Sequence, residues 1–254
     1  MKLGIGLSLA NKRFVGGFDP AYKAVLDFQT SENMQLASDR VKILQNNVVL
    51  GFKDKGLWNK KDAFGLFATD GDVDSALVCW KRLIKMKAIS SPTFTPKGGI
   101  DGNGSSSYID TLFRPAIDGV NFLQDDAGLS INVGSGEGYI VGNSSTASGN
   151  QRMRIGGADF MINGSVTNLN PSFEIGNIHL DRLSSTEVVS QQDSTITNTR
   201  TNSSAALQNN EIFLLRITNN YSDANIKSFS ARASFTEQEK NDYNTIINTY
   251  LAAL

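Results

Sequence analysis

Residues 98–115 read GGIDGNGSSSYIDTLFRP. This is a glycine- and serine-rich turn feeding a short strand over residues 107–113. It divides the chain. The residues before it read mainly as helix, and those after it mainly as strands closed by one final helix. Downstream, short apolar segments cover residues 129–133, 139–141, 152–155, 159–162, 172–175, 178–183, 187–190 and 195–198, with stronger ones at 211–218 and 226–235. Gly134 to Gly138, Gly156-Gly157 and Asn170-Pro171 punctuate them, and Asn163-Gly164 reads as a hairpin turn. Many short strands at near-regular spacing predict a β-sandwich or barrel. The last element has the capping-box pattern Thr236-Glu237-Gln238-Glu239, followed by an apolar stripe of Tyr243, Ile246, Ile247, Tyr250 and Leu254.

Upstream, residues 3–10 alternate Leu3, Ile5, Leu7 and Leu9 against small residues, the pattern of a strand. One apolar face beside a bare one suits docking on a neighbouring chain as well as pairing within its own sheet. Asp19-Pro20 starts a short helix over residues 21–28. Met34, Leu36, Val41, Ile43, Leu44, Val48 and Phe52 predict a longer helix over residues 31–55, stopped by Gly56. Residues 63–68, AFGLFA, form a short buried segment, and residues 75–80 an extended one. The domain division expected is residues 1–89 as an anchoring and oligomerisation region and residues 90–254 as the sandwich.

The chain has 254 residues, a formal net charge of -1, 40% hydrophobic and 19% charged residues. Near-neutral charge disfavours nucleic-acid binding, and no apolar run is long enough to span a bilayer. The one cysteine, Cys79, lies in an apolar run and reads as a buried small hydrophobe. Residues 1–14 make a poor signal peptide, so synthesis in a cytoplasm is expected.

Three blocks carry a family resemblance: KDKGLWNKKDAFGLFATDGDVDSALVCWK at residues 53–81, SSPTFTPKGGIDGNGSSSYIDTLFRP at 90–115, and NNEIFLLRITNNYSDANIKSFSARASFTEQEKNDYNTIINTYLAAL at 209–254. Together and in this order they resemble bacteriophage virion proteins of the tail-fibre or appendage type, which have a concanavalin A-like lectin domain. Related endings place a glycine before the final helix where this chain has ARASF at 231–235. The resemblance implies a mainly β fold: a concanavalin A-like jelly-roll β-sandwich with an N-terminal helical segment and a C-terminal helix. It also implies a structural protein exposed on a virus particle, made in the host cytoplasm. Its partners would be other virion proteins, a homo-oligomer (a trimer by analogy) and a host-surface glycan.

Chemistry is sparse. His179 is the only histidine, with Asp181 on the same side of its strand, and there is no Gly-x-Ser-x-Gly elbow. One histidine and one distant cysteine make no zinc site. Asp70, Asp72 and Asp74 alternate as in a calcium loop, but Ser75 and Lys81 stand where an EF-hand needs Gly and Glu. No run of acids at strand spacing supplies a glycosidase pair. The expectation is therefore a non-enzyme with no metal and no cofactor. A polysaccharide depolymerase and a purely architectural capsid or vertex protein are the alternatives. Glycan recognition needs aromatic platforms beside polar side chains, and Tyr139, Asn143, Arg152 and Arg154 flank the polar loop 142–150. They are the candidate site, with Leu3, Ile5, Leu7 and Leu9 the candidate docking face.

Overall fold

The computed structural model describes residues 17–143, 150–157, 159–164 and 173–254. The expected terminal strand with Leu3, Ile5, Leu7 and Leu9 lies outside them. Two helices open the described chain, α1 (Pro20–Ser31) and α2 (Asp39–Asp54), followed by β1 (Lys61–Leu66), α3 (Val73–Ala76), β2 (Val78–Cys79) and β3 (Ile84–Lys85). Then come β4 (Lys87–Ile89), β5 (Thr93–Thr95), β6 (Gly99–Asp101), β7 (Tyr108–Asp110), α4 (Pro115–Asp118), β8 (Ala127–Ser135), β9 (Gly138–Asn143) and β10 (Asn150–Ile155). The chain continues with β11 (Phe160–Gly164), β12 (Gly176–Arg182), β13 (Glu187–Gln192), β14 (Thr195–Thr201), β15 (Ile212–Leu214), β16 (Arg216–Ile217), β17 (Asn220–Tyr221), β18 (Asn225–Arg232) and α5 (Glu237–Ala253).

The strands form the expected concanavalin A-like sandwich. A ten-stranded antiparallel sheet runs β14-β13-β12-β8-β18-β1-β2-β3, with β6 and β5 attached beside β18. A six-stranded sheet runs β11-β10-β9-β15-β7-β4 and faces it. Between them lies an apolar core that includes Phe67, Ile109, Phe113, Leu129, Ile131, Met153, Phe160, Leu180, Leu214 and Phe229. A second core packs α1, α2 and α5 onto the outside of the large sheet, against Phe64, Leu66, Val78 and Trp80. The molecule therefore has three layers: helices, large sheet, small sheet.

Several expectations are corrected. Residues 61–89 supply strands to both sheets, since β1 pairs with β18 over five register positions and β4 pairs with β7. The long helix begins at Asp39 rather than residue 31. Ser38 is its N-cap, donating from its backbone N and Oγ to Asp70 (2.9 and 2.6 Å), while Asp72 accepts from Gln35 N at 2.9 Å. Of the apparent calcium loop, Asp70 and Asp72 are spent on this tie and on capping α3, and Asp74 pairs with Lys85 at 3.1 Å. Residues 75–80 begin inside α3 and only then become β2. Residues 173–175 are not strand. Asn163-Gly164 is no hairpin turn: both belong to β11, and Asn163 (φ 46°) is the extra residue of a bulge opposite Asn150 and Gln151. The strand expected over 211–218 breaks at Leu215 (φ 67°), which turns the β16–β17 hairpin out of the sheet.

The capping box of α5 forms as expected, with Glu239 N donating to Thr236 Oγ1 and Thr236 N donating to Glu239. Its apolar stripe, Tyr243, Ile247 and Tyr250, is buried against α2 and Phe64. Beside that stripe runs a second one of asparagines. Asn241, Asn244 and Asn248 bond Gln191, His179 and Asn177 of the sheet.

Candidate functional site: the open face of the six-stranded sheet

The helices cover the outer face of the large sheet, so the open sheet surface is the outer face of the small one. Alternation decides what points there. Met153 and Ile155 enter the core, so Arg152 and Arg154 point outward from β10. Register carries one outward row across the strands: Lys87 on β4, Asp110 on β7, Phe213 on β15, Gly142 on β9, Arg152 on β10 and Met161 on β11.

Three of the four sequence candidates meet on this face. Arg152 Nε lies 2.8 Å from Asp159 Oδ1, Tyr139 Oη donates to Asp159 Oδ2 at 2.8 Å, and the Arg154 guanidinium stacks 5.4 Å from the Tyr139 ring centre. Burial first, and then the bond to Asp159, raises the Tyr139 hydroxyl above its ordinary pKa. Arg154 is exposed. Asn143 does not join them. It is fully buried, donating from Nδ2 to Gln151 Oε1 at 2.7 Å, and Gln151 Nε2 donates on to Asn163 Oδ1 at 2.5 Å. A buried amide must spend its hydrogen bonds inside, and this one spends them across β9, β10 and β11.

A second cluster was hidden in the sequence by the apparent continuity of 211–218. The turn at Leu215 places Arg216 over three rings, its guanidinium carbon 4.4 Å from the centre of Tyr108, 5.1 Å from Phe213 and 5.5 Å from Tyr221. Arg216 Nε donates to Thr218 O at 2.5 Å. Among the described residues, neither Arg216 nor Arg154 has a carboxylate within ion-pair distance. The hairpin crosses the face at Gly142, where an added Cβ would come within 2.6 Å of Arg216 O and of Ile217 Cβ. Asp110, opposite Lys87, has its carboxyl raised by burial and further by Glu211, against the bond from Leu112 N.

Elsewhere, His179 and Asp181 share one side of β12 as the strand reading allowed, Ser130 of β8 joins them, and all three are fully buried beneath α5. His179 Nδ1 meets Ser130 Oγ at 2.8 Å, and Asp181 is ion-paired with Arg232. An open hollow of about 360 Å³ beside α2 is lined by Lys53, Gly56, Trp58 and Asn59. Among the described residues no cluster of three or more His, Cys, Asp or Glu side chains is arranged to hold a metal. Cys79 is buried, as its setting predicts, and burial raises its thiol pKa. No helix among them is long and apolar enough to cross a membrane.

No family model and no curated protein matches the sequence. Solved structures do match in fold. An HCR/D mutant superposes with a TM-score of 0.50 at 10% identity, covering 75% of this chain and 52% of its own. Trypanosoma rangeli sialidase in complex with 2,3-difluorosialic acid gives 0.49 at 11% identity over 80% of this chain. Domain 4 of a GH43 extracellular arabinanase from Geobacillus stearothermophilus, in complex with arabinotriose, gives 0.38 at 9% identity, covering 63% of this chain and 82% of that one. The chain spans about two fifths (39%) of the sialidase chain it matches. At these identities the likeness is one of fold: a lectin-like β-sandwich.

Proposed function

We propose that this protein is a structural component of a bacteriophage particle whose sandwich binds a host-surface glycan through the open face of the small sheet. The observation that carries the binding is the pair of guanidinium–aromatic stacks on that face, Arg154 on Tyr139 and Arg216 on Tyr108, Phe213 and Tyr221. Sugar rings bind by laying an apolar face on an aromatic ring while hydroxyls bond to nearby charged groups. Tyr108 and Tyr139 stand on β7 and β9, two strands apart, a lateral separation of about 10 Å. The virion role rests on the three sequence blocks and their order. A glycan-array screen of the purified protein tests the binding. Retained hits that weaken at least tenfold in both Tyr108→Ala and Tyr139→Ala support the reading, and hits indifferent to both substitutions overturn it.

A hydrolytic reading has one observation in its favour. The Asp110 carboxyl is raised by burial and then by Glu211, and a raised carboxyl near a second acid is one feature of a glycosidase site. Release of reducing ends from a bound polysaccharide, abolished in Asp110→Asn, would establish it. Binding without release leaves the protein a lectin.

A further inference from the structure

The side of the large sheet that faces the helices changes character across its width. Three register rows run Gln191–His179–Ser130–Ser230–Phe64, Val189–Asp181–Gly128–Arg232–Lys61 and Asn177–Asn132–Ser228–Leu66. Over β1 the face is mainly apolar and α2 covers it. Over β12, β8 and β18 it is polar and charged, and α5 covers it. Such a face is stable when dry only while every group is paired.

We infer that α5 is an acid-released strap, held closed by a histidine that can be accommodated only in its neutral form. His179 Nε2 lies 2.7 Å from Asn244 Oδ1, an acceptor, so this nitrogen carries the proton. Nδ1 must then accept, and its neighbours are donors: Ser130 Oγ at 2.8 Å and Arg232 Nη2 at 3.4 Å. A proton on Nδ1 would point at the guanidinium. Lifting α5 removes Asn244, wets the ring and lets it take up a proton.

Arg232 on β18 and Lys240 on α5 are cations and oppose protonation of the closed state, while Asp181 on β12 favours it. Burial dominates and holds His179 at about 3 in the closed state. Asp181 is itself held below its ordinary value, by Arg232 and Lys240 against burial, so acid pulls it toward the open state as well, below the ordinary aspartate range. Lys61 on β1, whose Nζ lies 4.5 Å from the centre of the Tyr243 ring, is pushed down by burial and gains a proton on exposure. Tyr243 on α5 packs edge-on against His179, and its hydroxyl is pushed up to about 12, so it matters only in alkali. The closed state thus binds fewer protons than the open one below neutrality. For His179 alone, with an open-state value near 6.5, opening is favoured about 30-fold more at pH 5 than at pH 7.5.

Amide hydrogen exchange on the full chain, corrected for the intrinsic pH effect, reads this directly. The expected result is exchange in α5 rising about 30-fold between pH 7.5 and 5 while β8 and β18 amides hold, with the rise flattened in His179→Gln. An α5 whose exchange is unchanged with pH, or follows β8 and β18, overturns the strap. Because His179→Gln can fail to fold, proton NMR of the His179 ring in the unaltered protein gives a second test. A ring that titrates near 6.5 while α5 stays protected also overturns it.

Discussion

Lys61 Nζ lies 4.1 Å from the centre of the Phe52 ring, and it has no carboxylate partner among the described residues. Tyr243, Phe64 and Phe235 complete a cage of four rings, and the nearest hydrogen-bond partner is Ser230 Oγ at 3.4 Å. A desolvated cation–π contact returns about 2 kcal/mol, while burying an ammonium costs several. The cost wins, and burial lowers the Lys61 pKa well below its ordinary value.

Lys61→Met should therefore stabilise the protein at pH 7, by about 1 kcal/mol or more, because it keeps the volume and removes the desolvation cost. The pH dependence has a definite sign. The folded state binds the Lys61 proton less well than the unfolded chain, so native stability rises with pH toward 10.5, by at most about 1.4 kcal/mol per unit. Urea midpoints measured from pH 7 to 9.5 should climb more in the unaltered protein than in Lys61→Met. Parallel curves would contradict the cage argument.

Arg232 has the opposite balance. Its guanidinium is fully buried, bonds Asp181, Ser130 and Ala233 O, and lies 3.5 Å from the Phe235 ring centre. Gly128 makes room for it, since a Cβ there would collide with both Arg232 and Asp181. Arg232→Ala leaves the Asp181 carboxylate buried with only Lys240, at 3.6 Å, as an ion partner. The expected loss is about 3–5 kcal/mol. Chemical denaturation measures it, and a loss under about 1 kcal/mol would mean that water enters to replace the guanidinium.

How much of this was legible in the sequence depended on how local each cause was. The β10 strand, the capping box and the Asp19-Pro20 start are set by neighbours within a few residues, and all three appear where the pattern places them. The start of α2 is set by Asp70 and Asp72, more than thirty residues away, so apolar spacing extended that helix too far. Asn163-Gly164 carried a true turn signal, but the Asn163 amide is committed to Leu123 O and Gln124 O and to Gln151, which makes a bulge instead. For the site, Tyr139, Arg152 and Arg154 were legible because they flank the polar loop 142–150, and alternation against Met153 and Ile155 turns the two arginines outward. The polar stripe of α5 and the Arg216 cluster were not legible, because their partners lie on elements distant in sequence.

Asp62 illustrates a long-range cause with a local effect. Its buried carboxylate accepts from the backbone N of Val120, Asn121 and Phe122 at 2.7–3.1 Å and from Asn121 Nδ2 at 2.7 Å. It thereby fixes a loop whose Ile117, Val120 and Leu123 are exposed. Asp62→Ala strands three amides and should cost about 1–3 kcal/mol. Limited proteolysis should then cut first within residues 117–124. A cut elsewhere, with this loop intact, would show that α4 and the Arg82–Asp118 pair hold it without Asp62.

Gly142 offers a way to disturb the proposed binding face without touching a side chain that a ligand would contact. The hairpin bearing Arg216 rests on this glycine, and a Cβ there meets both Arg216 O and Ile217 Cβ at 2.6 Å. Gly142→Leu must lift the hairpin and draw Arg216 away from Tyr108 and Phe213. Overpacking of this kind costs about 1–3 kcal/mol, which a sandwich of this size survives. The expected outcome is an unchanged far-ultraviolet circular dichroism spectrum with glycan affinity reduced about tenfold, and a smaller loss in Gly142→Ala. Full affinity in Gly142→Leu, with the fold intact, would remove the Arg216 cluster from the site and leave recognition to Tyr139, Arg152 and Arg154.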